Sequence, residues 1–362
     1  MSSTAPAIRR RLHRALRRLM PFWWWLFWFY CAWATIIIVG GLWEQVLAHW
    51  PIAAAMAAGS YVAGSTPMGG GTVGFPILVL LFDQPASLGR NFSYCVQSIG
   101  MSSATVFLLA NRSRIAWRFL AWCALGSLVT LPLTAVYVVP AVSDTSVKLL
   151  FACIWAGFGV MTLYKLRDFV RSHNVPRCRT PLDAALGLAA GLIGGVASGL
   201  TGVGIDMILY TLLVLVYRSD LRVAIGTSVM IMAINSLLGV LISGSMGRLG
   251  PEVFHNWIAA APIVALGAPL GALMMTVISR AKTLFFVSIL CVLQFVWTCW
   301  NERQSLGWSG AALALAAVLA LNLAFHFMYQ LGERMVPRVP VPPDGPPDTA
   351  RGAGAAAGSA RD

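Results

Sequence analysis

Two short stretches combine residue types that can hold a small charged molecule. The first, from Gly64 to Pro76, reads GSTPMGGGTVGFP and sets Ser65, Thr66 and Thr72 around Gly69, Gly70 and Gly71. The second, from Gly199 to Thr211, reads GLTGVGIDMILYT and carries Thr201, Gly202, Gly204 and Asp206. Glycine has no Cβ, so its N–H can approach a bound ion closely. A helix that restarts after such a break points its positive dipole end at it, which suits an anion. Ser93 and Ser228 add one hydroxyl each from the segments that follow, and Arg90 and Asn91 lie just before Ser93. Arg90 either attracts an anion or extends to lipid headgroups. Asp206 is the sharpest single residue, because an ionisable side chain at membrane depth is costly. It carries a coupling proton, faces a cation, or caps the helix that follows. An ionised Asp206 opposes a nearby anion unless it is protonated or paired. Gln97 and Asn235 are lone polar residues within apolar segments, and they either bond across helices or line a path. The plainer reading of the glycines is close helix packing.

Other chemistries find no support in the residue pattern. The five His have no metal-ligand spacing, and the seven Cys form no CxxC pair, so neither a zinc site nor a disulfide framework is expected. No GxxxxGK[ST] motif is present. No metal and no cofactor are expected. A membrane enzyme would need His, Asp or Glu clustered on facing spans, and only Asp206 is clearly at depth, so the chain reads as a non-enzyme.

These residues sit in a chain built for lipid. It has 362 residues, 58% hydrophobic and only 11% charged, against roughly 25% charged in soluble domains. A bilayer core takes roughly 20 apolar residues per helix. Full-length spans are expected at about 22–42, 91–110, 116–138, 147–166, 223–243, 256–278, 284–300 and 308–328. Two further apolar stretches, about 51–82 and 184–216, are interrupted by the glycine breaks, with half-segments of about 10–15 residues. Trp residues cluster at span ends, among them Trp23, Trp24, Trp25, Trp43, Trp50, Trp117, Trp257, Trp300 and Trp308, as indoles favour the interface. Residues 1–21 form a basic arm. The run from Phe22 to Leu42 is too long for a signal-peptide core and lacks an A-x-A site, so it reads as an uncleaved helix. The Pro-, Gly- and Ala-rich residues 337–362 read as a disordered tail.

Charge supplies the orientation. If both interrupted stretches return to the side they left, 22 of the 26 Lys and Arg fall on the side of the N-terminus. Only Arg90, Lys148, Arg248 and Arg303 fall opposite. The positive-inside rule then makes both termini cytoplasmic. The net charge of +13 is topology and lipid attraction rather than a nucleic-acid signal. Residues 64–98 also match residues 199–233 at an offset of 135, aligning Gly64 with Gly199, Gly69 with Gly204, Leu78 with Leu213 and Ser93 with Ser228. The expected fold is an all-α integral membrane protein with about eight transmembrane helices and two broken, re-entrant hairpins in two inverted repeats. Its segments are an arm (1–21), an extra helix (22–50), repeat 1 (51–166), a basic linker (167–182), repeat 2 (183–300), a final helix (301–336) and the tail (337–362).

On these motifs the chain resembles the sulfite exporter TauE/SafE family of membrane permeases. The resemblance rests on GGGTVGFP (Gly69 to Pro76), AIGTS (Ala224 to Ser228) and their duplicated setting, and covers about residues 51–300. LGRNFS stands in the first copy where GTS is expected, and Ile205, Asp206 and Thr211 replace a Gly-Gly pair and a Pro in the second. The resemblance implies movement of a sulfur-containing anion, such as sulfite or an organosulfonate, coupled to protons across a bacterial inner membrane. The departures leave the substrate open. The function expected is a secondary transporter working by alternating access, with a channel-like pore as the alternative and a membrane enzyme as the more distant one. Its partners would be the anion, protons and the bilayer.

Overall fold

The computed structural model describes residues 17–68, 71–171, 174, 176, 178–274 and 280–335. The basic arm up to residue 16, Gly69, Gly70 and the tail lie outside them. Thirteen α-helices follow one another with no β-strand among the described residues. They are α1 (Met20–Gly40), α2 (Trp43–Ala48), α3 (Trp50–Ser65), α4 (Gly71–Pro76), α5 (Ala86–Ala110), α6 (Trp117–Leu133), α7 (Asp144–Arg171), α8 (Pro181–Thr201), α9 (Ile205–Thr211), α10 (Leu221–Ser245), α11 (Pro251–Met274), α12 (Arg280–Asn301) and α13 (Arg303–Met335). Short π-helical turns extend α4 to Leu81, α6 to Val138 and α9 to Val216. Among the described residues, nine helices are long and apolar enough to cross a membrane. The chain is an all-α, multi-pass membrane protein.

The ninth long helix is a departure from the expected lengths. The first arms of the two interrupted stretches are not short: α3 has 16 residues and α8 has 21. Only the second arms, α4 and α9 with their π turns, are short. The sequence supports so long an α8 at both ends. Thr180 and Asp183 form a reciprocal capping box with Pro181 in the first turn, and Gly202 closes the helix in the left-handed conformation at φ 83°. The second arm returns to where α8 began. The Tyr217 hydroxyl donates to the Asp183 carboxylate at 2.6 Å, and Asn174 Nδ2 donates to the Tyr217 carbonyl at 2.8 Å. The first stretch also folds back antiparallel, since α4 residue Val73 lies against Gly59 and Gly74 against Met56.

α5 and α10 pair at the centre and are the most buried spans, whereas α1 and α13 are the most exposed to the surroundings. α3 packs along α11, α8 along α6, and α7 along α12. Two of these seams need small residues. A Cβ on Gly64 or Gly271 would enter the backbone across the α3–α11 seam, and one on Gly126 would lie 2.5 Å from the Leu188 carbonyl across α6–α8. α11 contains Pro262 and Pro269. Each proline lacks an N–H and orphans the carbonyl four residues earlier. Neighbouring helices supply the missing donors: Trp33 Nε1 reaches Ile258 O at 2.9 Å, and the Ser103 hydroxyl reaches Ala265 O at 2.6 Å.

Candidate functional site

The second break is built from its glycines outward. Gly202 N–H bonds back to Ser198 O at 2.7 Å, and Gly204 starts α9 from φ 112°, a region that side chains with a Cβ avoid. This turn lies directly on α5. A Cβ on Gly202 would stand 2.6 Å from the Arg90 carbonyl and 3.1 Å from Ser93. Arg90, Tyr94 and Gln97 share one face of α5. Arg90 meets the turn through its backbone, Tyr94 donates its hydroxyl to Ser198 O, and Gln97 donates Nε2 to Gly202 O at 3.2 Å and to Ser93 O at 3.0 Å. α10 joins from the other side, where Asn235 Nδ2 lies 2.6 Å from the Ser198 hydroxyl.

The first hairpin meets the same stretch of α5. Gly89 faces Val79 and Phe75, and Phe92 packs against Gly74. The N-terminal half of α5, from Gly89 to Gln97, is therefore wedged between the second arm of one hairpin and the turn of the other. An aromatic column reinforces this. Phe75 stacks on Phe151 at 4.5 Å, Phe151 stacks on Trp155 at 4.2 Å, and the Trp155 ring lies against Gly204. Neither the column nor the bonds of Tyr94 has a signal in the sequence, because an aromatic in a membrane span normally signifies packing.

The sequence-expected site residues divide by what their polar atoms already do. The Ser93 hydroxyl donates to Gly89 O at 2.7 Å and Ser228 to Ile225 O at 2.8 Å. Thr66 donates to Val62 O at 2.7 Å and accepts from Met68 N–H. Thr201 lies 2.9 Å from both Ala197 O and Val203 O. These four hydroxyl hydrogens are spent on local backbone. Asn91 is spent too, giving Nδ2 to Arg248 O and taking the Ser243 hydroxyl on Oδ1. Gly71 and Thr72 open α4; Gly69 and Gly70 lie outside the described residues.

Arg90 and Asp206 stand apart. Arg90 is 6% exposed, so the protein covers most of its side chain. Among the described residues, no hydrogen bond or ion pair reaches its guanidinium, and the groups acting on it through space are Tyr94, then Arg248 and Asp144. Asp144 is already engaged, holding the Ala86 N–H at 2.7 Å and Lys148 at 3.4 Å. Asp206 is 2% exposed. Its Oδ1 accepts the N–H groups of Met207 at 2.9 Å and Gly204 at 3.2 Å from within the first turn of α9, whose N-cap is Gly204. No group of three or more His, Cys, Asp or Glu among the described residues is placed to hold a metal ion.

Among the described residues, nine long apolar helices surround two backbone breaks, and a buried arginine lies on the helix packed against one of them, the architecture of a polytopic membrane protein. The chain belongs to the sulfite exporter TauE/SafE family, whose model matches residues 52–298. No curated protein and no solved structure matches it. The match spans both breaks and every site residue expected from the sequence, from Thr66 to Ser228.

Proposed function

We propose that the chain is a secondary transporter of a small anion, sulfite or an organosulfonate, driven by protons through alternating access at the two breaks. The single observation that carries this reading is Arg90. A buried charge without a bonded partner is strongly unfavourable, and an anion beside it would offset that cost. The fixed turn at Gly202 and Gly204 would form the wall of the site, since irregular backbone at membrane depth belongs where it lines protein or a cavity. Asp206, at the head of α9, would carry the coupling proton, and neutralising it would remove its repulsion of the anion.

The helix pairings support the two-repeat reading. In the order long arm, short arm, then three spans, α3 to α7 correspond to α8 to α12. Each long arm packs on the fourth helix of the other half, α3 on α11 and α8 on α6. Equivalent helices also meet each other, α5 with α10 and α7 with α12. That is the pattern expected of two inverted copies about an in-plane axis, and it suits rocking of one half against the other. The charge asymmetry would put both termini on the cytoplasmic side of a bacterial inner membrane.

The test is flux into proteoliposomes of sulfite, sulfate, sulfoacetate and taurine, with and without an imposed pH gradient. The expected result is accumulation of a sulfur oxyanion that follows the pH gradient. Large ohmic currents without gradient-driven accumulation would favour a channel instead. Asp206→Asn should insert normally and lose the response to pH; unchanged pH dependence would remove Asp206 as the proton carrier.

A further inference from the structure

Gln97 does two things at the second break, and its bond to Gly202 accounts for only one. Its Nε2 is held by two backbone carbonyls, Ser93 O and Gly202 O. Carbonyls only accept, so the amide cannot be turned round, and Oε1 must face the other way. That oxygen is buried and has no hydrogen-bond partner among the described residues, on a residue 1% exposed. Asn235 Oδ1 is in the same state, but its amide meets the Ser198 hydroxyl, which both donates and accepts, so its orientation is not fixed. A buried amide oxygen without a donor is unfavourable, and polar groups left so commonly have a functional reason. Gln97 and Arg90 lie two helical turns apart on one face of α5; Gln97 meets Gly202 through its amide and Arg90 through its backbone. The face of α5 that lies on the break thus carries, among the described residues, a cation with no bonded anion and an acceptor with no donor.

We infer that Gln97 Oε1 selects for anions that carry their own hydrogen-bond donor, the negative group facing Arg90 and the donor facing Gln97. The inference rests on the anion-transport reading above and narrows it. The substrate class becomes small oxyanions bearing an O–H or N–H, for example hydrogensulfite or a hydroxy- or amino-alkanesulfonate. Anions that present only acceptors to the amide oxygen, such as sulfate or a plain alkanesulfonate, are disfavoured. A site that expects a hydroxyl discriminates against the analogue that lacks it, because its own polar group then stays unpaired.

A matched pair tests this: 2-hydroxyethanesulfonate and ethanesulfonate, competing at one pH against labelled sulfite taken up by wild-type proteoliposomes. The hydroxy compound should inhibit at a concentration roughly tenfold lower, the effect of about one hydrogen bond. In Gln97→Met the two should inhibit alike; Gln97→Glu, assayed in acid where the carboxyl is protonated and still offers an acceptor, should keep the preference. Equal inhibition in the wild type overturns the inference whether or not either variant folds, and so does a preference that survives in Gln97→Met. If neither sulfonate competes while sulfite flux persists, the inference fails and the transport reading stands. If no anion is carried at all, both fail.

Discussion

A buried arginine with no bonded partner among the described residues, on the helix that a break packs against, is costly for the protein to keep, and Arg90 is therefore the residue to explain. Its type and position were legible in the sequence, but its state was not, because only the fold decides whether an arginine near a span end turns outward or inward. The hydroxyls show the reverse. Ser93, Ser228, Thr66 and Thr201 had the right type and spacing, yet each hydrogen is taken up by backbone a turn away or within its own turn, a local competition invisible to spacing. The break glycines differ in a way the sequence could not rank. Gly204 has positive φ but ordinary space, the nearest atom to an added Cβ being 3.5 Å away, whereas an added Cβ on Gly202 meets Arg90 O at 2.6 Å. Gly204→Ala should cost about 1–2 kcal/mol from backbone strain alone. Gly202→Ala should cost more and also depress transport; comparison of thermal melts and flux for the two purified variants checks the order.

At the scale of elements, the prolines of α11 show how a membrane helix tolerates a missing N–H. Ser103 takes the carbonyl that Pro269 leaves orphaned, so its role is defined by a residue on another helix. Ser103→Ala should destabilise the protein by about 1–3 kcal/mol. Pro269→Ala restores a backbone N–H to Ala265 O, so the same serine mutation should cost much less in that background. Equal costs in the two backgrounds, measured by denaturation in detergent, would contradict this pairing. The short second arms and the glycine seams follow from the sequence pattern. The full length of α8 did not, because GLIGGVASGL reads as weak helix until the capping box at Thr180 and the small-residue seam with α6 are seen together.

At the scale of the whole molecule, the far ends of the helices are tied by a charged cluster. Glu302, between α12 and α13, accepts from Lys148 at 2.9 Å and from the hydroxyls of Thr145 and Ser305. Burial raises the Glu302 pKa, but the Lys148 ammonium and those hydroxyls outweigh it and hold the carboxyl below its ordinary value of 4.5. A carboxylate with a lowered folded pKa adds stability that is fully present above the ordinary value and disappears as pH falls through the lowered one. Glu302→Gln should therefore melt lower than wild type at pH 7, and the gap should close as the pH drops below 4.5. The cluster also ties α7 to the α12–α13 junction, next to the Asp144 that caps α5 and acts on Arg90. The membrane character, the two breaks and the family were all legible in composition, interrupted hydropathy and motif. The wedging of α5 between both hairpins was not, because it joins residues from each half through contacts that no local pattern encodes. That wedge puts Arg90 at the centre of the account, and sulfite flux into proteoliposomes under an imposed pH gradient, wild type against Arg90→Gln, tests it most directly. The expected result is gradient-driven accumulation by the wild type, at least a tenfold loss in an Arg90→Gln protein that still inserts and purifies as a folded species, and partial recovery in Arg90→Lys. Wild-type flux in Arg90→Gln would contradict it.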